Sequence, residues 1–114
     1  MARPAIPDAL QRRHLVEGAL DPARARVIAA AYLAQGRALE ALAFLRLSAD
    51  QEALARLRDE AVAAGDVFLL REATAALGEE IPARLWRQTA EAAQAHGKDQ
   101  YATEARRMAA AREG

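Results

Sequence analysis

Three observations assign the 114-residue chain to the all-α class, as a short α-solenoid of antiparallel helix hairpins with about seven helices. The composition is dominated by strong helix formers, with 32 alanines, 14 leucines and 15 arginines. β-branched residues are scarce and never alternate with polar ones, so no segment reads as a strand. Three glycines, Gly36, Gly65 and Gly97, each fall between two helical segments, at spacings of 29 and 32 residues.

The helices follow in order. Residues 8–17 carry a weak apolar stripe through Leu10, His14 and Leu15, with Leu20 just beyond. Asp21-Pro22 starts the next helix, 22–35, with Asp as N-cap and Pro at the first helical position. Helix 38–47 ends near Ser48, which with Gln51 fits a capping box for helix 49–64. In that helix Leu54, Leu57, Ala61 and Ala64 share a face, and Glu52 with Arg56 suits the solvated side. Asp66 caps helix 67–77, which Gly78 stops. Ile81-Pro82 opens helix 83–96, and Asp99 caps helix 99–112 with its stripe of Tyr101, Ala105 and Met108. Connections of about one to five residues place consecutive helices antiparallel and adjacent. The chain reads as one domain: residues 1–20 an N-terminal segment and capping helix, 21–114 three degenerate helix-hairpin repeats.

Composition narrows the functional classes. Sixteen basic and sixteen acidic residues give a formal net charge of +0, which disfavours nucleic-acid and anionic-membrane binding, since both draw on a basic excess. With no cysteine there are no disulfides, thiolate zinc sites or cysteine-held clusters. The longest apolar run, Val27 to Ala34, falls far short of the ~20 residues that span a bilayer, and no signal segment opens the chain. A cytoplasmic protein is expected. The 15-to-1 excess of arginine over lysine fits a GC-rich, bacterial-like coding bias as well as anion recognition.

The glycines carry a pattern with them. Four residues before each come Tyr32, Ala61 and Ala93; five after come Ala41, Leu70 and Ala102. Leu54 and Trp86 stand eleven before the last two. A turn between paired antiparallel helices favours a left-handed residue, and these flanking positions then face the inside of each pair. The arrangement resembles the tetratricopeptide repeat, a helix–turn–helix unit of about 34 residues. Ala29, Tyr32, Gly36, Ala41 and Leu45 match it in the first copy, Leu54, Leu57, Gly65 and Pro82 in the second, and Trp86, Ala90, Gly97, Ala102 and Ala109 in the third. Ala25, Arg58, Leu70 and Arg106 depart from it, and both periods are shorter than the family's. The resemblance implies a groove lined by the first helix of each pair: Arg26, Ala30 and Leu33, then Asp59 and Val62, then Arg84, Arg87, Glu91 and Gln94. The Lys and Asn with which some family members clamp a terminal carboxylate have no counterparts among these residues.

No catalytic, metal or cofactor constellation emerges. His14 and His96 are the only histidines, and neither has the neighbours a metal site needs. Asp59-Glu60 are adjacent and so diverge by about 100° on a helix, while Glu79-Glu80 suit a helix start. Ser48, Thr74, Thr89 and Thr103 have no histidine close in sequence to act as a base. No phosphate-loop, dinucleotide, zincin or nucleophile-elbow motif is present. The expectation is a non-catalytic adaptor or scaffold, without cofactor, binding a protein or peptide partner of acidic character, with no nucleic acid and no membrane. The alternative is a self-associating all-α homodimer, and a nucleic-acid-contacting helical domain ranks below both.

Overall fold

The computed structural model describes residues 21–113. Among them every regular element is an α-helix, with no strand. The six helices are α1 (Pro22–Ala34), α2 (Ala38–Ser48), α3 (Gln51–Ala64), α4 (Val67–Leu77), α5 (Ala83–Ala95) and α6 (Asp99–Glu113). The helix expected at 8–17, His14 and the N-terminal cap lie outside the described residues. Two compact units divide the chain, the first ending at Ala53 and the second beginning at Leu54, inside α3.

In the first unit, Asp21 caps α1 by accepting from the Ala23 N–H at 3.1 Å, with Pro22 at the first helical position. The chain reverses at Gly36, whose φ is +70°, and the Arg37 N–H donates back to the Tyr32 carbonyl at 3.0 Å. α1 and α2 pair through Ala25, Ile28, Ala29 and Tyr32 against Ala41, Leu42, Phe44 and Leu45, all buried. Tyr32 stacks on Phe44 with centroids 5.6 Å apart, and the Arg37 guanidinium lies over the Tyr32 ring at 4.8 Å. Small residues at 25, 29 and 41 let the two backbones approach while the aromatic pair fills the space between them.

The turn after α2 corrects one expectation. Ser48 is the last residue of α2, and its hydroxyl donates to the Leu45 carbonyl at 3.0 Å. Asp50 takes the capping position instead, accepting from the Ala53 N–H at 3.1 Å. Ala49 between them holds φ +52°, the one non-glycine with positive φ among the described residues.

In the second unit the turns fall at Gly65 and Gly97, again with positive φ. Asp66 caps α4 through the Leu69 N–H at 3.0 Å, as expected. Gly78 ends α4 in the left-handed conformation, and the Glu79 N–H reaches back to the Thr74 carbonyl at 3.0 Å. Asp99 is the first residue of α6 and not its cap; the Lys98 carbonyl accepts the Ala102 N–H at 2.9 Å. Lys98, the single lysine, donates from Nζ to the Ala64 carbonyl at 2.7 Å and so satisfies the exposed end of α3. α5 and α6 pair closely, burying Trp86, Thr89, Ala90 and Ala93 with Ala102, Ala105 and Ala109.

All eight positions placed on the inner faces by the glycine spacing are buried: Tyr32, Ala41, Leu54, Ala61, Leu70, Trp86, Ala93 and Ala102. No helix among the described residues is long and apolar enough to cross a membrane.

Candidate interaction groove

The second unit carries a trough between α3 and α5. Asp59, Val62 and Ala63 form one wall, and Leu85, Gln88 and Ala92 the other, around a volume of about 360 Å³. The wall residues fall at i, i+3 and i+4 on α3 and at i, i+3 and i+7 on α5, which places each set on one stripe. Alanine at 63 and 92 keeps the floor free of protruding side chains, while Val62 and Leu85 supply apolar surface and Asp59 and Gln88 polar edges.

A second concavity of about 660 Å³ adjoins it and shares Asp59 and Leu85 in its walls. Its lining is charged: Arg58, Arg84 and Arg112 with Glu79 and Glu80, over Thr74, Ile81 and Pro82. Arg58 bonds to Asp59 at 3.2 Å and to Glu79 at 3.1 Å, and Arg112 bonds to Glu80 at 3.2 Å. Arg84 has no carboxylate partner among the described residues.

The residues expected to line a groove are distributed as follows. Asp59 and Val62 line the trough, and Arg84 lines the charged concavity. Arg87 is ion-paired with Glu113, and Gln94 accepts from Arg106, so both reach toward α6. Glu91 is exposed on α5, outside the walls of both concavities. In the first unit Arg26 is exposed and ion-paired with Asp50 at 3.5 Å, Ala30 is exposed and Leu33 half-buried. On α5 the trough is lined by Leu85, Gln88 and Ala92, each one residue on from Arg84, Arg87 and Glu91. One residue is about 100° of helix rotation, enough to exchange one face for its neighbour.

No protein family, curated protein or solved structure matches this chain.

Among the described residues no group of three or more His, Asp or Glu is placed to hold a metal ion. The hydroxyls singled out in the sequence are engaged with helix carbonyls: Thr74 with Leu70 at 2.7 Å, Thr89 with Leu85 at 2.7 Å, Thr103 with Asp99 at 3.1 Å. His96 is exposed and ends α5, its backbone N–H donating to the Ala92 carbonyl. Glu60 points to solvent, and its neighbour Asp59 is tied to Arg58.

Proposed function

We propose that the chain is a non-catalytic protein-interaction module, an adaptor or scaffold, that seats a peptide or a helix of its partner in the trough between α3 and α5. The observation that carries this reading is the trough itself: two parallel stripes of small and apolar side chains, Val62-Ala63 and Leu85-Ala92, edged by Asp59 and Gln88. A partner segment laid there covers apolar surface while the edges fix its register, the usual division of labour in groove recognition. Left-handed glycines at the three turns and eight buried inner positions support the reading of each hairpin as tetratricopeptide-like.

Val62 and Ala92 are half-buried on the trough walls, so a carboxylate at either is tolerated by the fold and not by an apolar guest. Affinity capture from the native organism with the wild-type chain and with Val62→Glu/Ala92→Glu tests the proposal. The expected result is an interactor whose recovery falls at least about tenfold with the double variant, with unchanged circular dichroism. Equal recovery by both proteins contradicts it.

Self-association is a second reading, favoured by Val27 and Leu39 in the first unit, which are 48% and 53% exposed. Light scattering over a concentration series reads it directly, and a concentration-independent monomer removes it.

A further inference from the structure

The charged concavity adjoining the trough gives the partner a chemistry. We infer that the guest is a peptide segment in which an apolar run is followed by acidic side chains, and that Glu79 and Glu80 of this chain occupy the acidic seats until the guest arrives. The inference rests on the groove reading above.

Three guanidiniums stand in the wall of the concavity. Arg58 and Arg112 are held by Glu79 at 3.1 Å and Glu80 at 3.2 Å, and Arg84 has no carboxylate partner among the described residues. The two glutamates lie on the short stretch between Gly78 and α5, and their side chains are 50% and 85% exposed. The arginine side chains are less open, at 24% and 41%, but with both glutamates solvent-facing each pair contributes little. A guest carboxylate replaces Glu79 or Glu80 like for like, and guanidinium presents the paired donors that suit it. When the two glutamates turn away, three arginines face Asp59 alone, and Asp59 is itself tied to Arg58 at 3.2 Å. The wall is then complementary to acid and repels a basic guest. The trough opens into this concavity at Asp59 and Leu85, so one extended segment spans both.

Fluorescence anisotropy on the full chain tests this with three labelled, C-terminally amidated peptides. They share one Ala/Leu run and differ only in two following residues: Glu-Glu, Gln-Gln or Lys-Lys. The Glu-Glu peptide is expected to bind about fivefold tighter than the Gln-Gln peptide, with Lys-Lys weakest. Glu79→Gln/Glu80→Gln is expected to tighten the Glu-Glu peptide about threefold, and Arg84→Ala to abolish most of its advantage. Equal affinity for all three peptides, lost in Val62→Glu, overturns the acidic preference and leaves the trough reading standing. A Glu-Glu preference that survives Arg84→Ala and is unmoved by the double Gln variant also overturns the inference. Binding insensitive to Val62→Glu overturns the trough reading itself.

Discussion

Gly65→Ala is expected to destabilise the protein on the order of 3 kcal/mol or more, lowering its melting temperature by roughly 10 °C. Two effects add. Gly65 holds φ +67°, a conformation that costs an L-residue about 1–2 kcal/mol. It is also buried against α5: a Cβ built on it falls 2.8 Å from the Ala93 Cβ and closer still to the Ala93 backbone nitrogen. A backbone atom inside a helix cannot turn aside, so α5 must shift as a whole. Gly97→Ala provides the comparison, because Gly97 has nearly the same φ, +72°, with nothing within 4 Å of an added Cβ. It is expected to cost only about 1–2 kcal/mol. Urea unfolding of both variants measures the difference, which is the contribution of the close approach alone. Equal losses would mean that α3 and α5 do not meet at Gly65 and Ala93.

Trp86→Ala is expected to cost about 3–5 kcal/mol. Trp86 is 1% exposed and is the largest side chain in the core of the second unit. The Arg71 guanidinium lies 5.0 Å from its ring and is held there by Glu104 at 2.8 Å, a cation–π contact that truncation also removes. One term opposes the loss. The indole Nε1 finds no acceptor among the described residues, and a buried unpaired donor costs about 1–3 kcal/mol. Trp86→Phe removes that donor while keeping a ring beneath Arg71. It is expected to cost at most about 2 kcal/mol, less than the effect of alanine. Chemical denaturation of the two variants separates these contributions. The native protein is also expected to show blue-shifted tryptophan emission, and the spectrum of a solvated indole would contradict the burial.

The turn glycines make much of the helix order legible in the sequence. A left-handed turn selects a residue without a Cβ, and that selection leaves a visible mark at 36, 65 and 97. From these anchors the inner faces follow by counting, and the counted positions are buried. The turn at Ala49 leaves no such mark, because an alanine accepts the left-handed conformation there. The cap before α3 was ambiguous for a related reason. Ser48 and Asp50 both offer an oxygen near the helix start, and the Leu45 carbonyl three residues back claims the serine hydroxyl.

The walls of the site were only half legible. Asp59 and Val62 were expected and lie in the trough; Ala63, Leu85, Gln88 and Ala92 were not expected. On α5 small residues occur on several faces, so the pattern of side chains does not single out the stripe that meets α3. The arginines are the more conspicuous residues of the helix. Arg87 is taken by Glu113, and Gln94 by Arg106, pairings to α6 that local sequence does not encode. Leu85 was the signal available, as the one leucine in the helix, three residues before Gln88 and seven before Ala92.

The claim on which the functional account depends is that a partner seats between α3 and α5. Amide chemical-shift mapping of the isotope-labelled chain, on addition of the partner recovered by capture, tests it most directly. The account predicts that Val62, Ala63, Gln88 and Ala92 move most. Shifts confined to Asp99, Thr103 and Arg107 on α6, or to Val27 and Leu39 in the first unit, would contradict it.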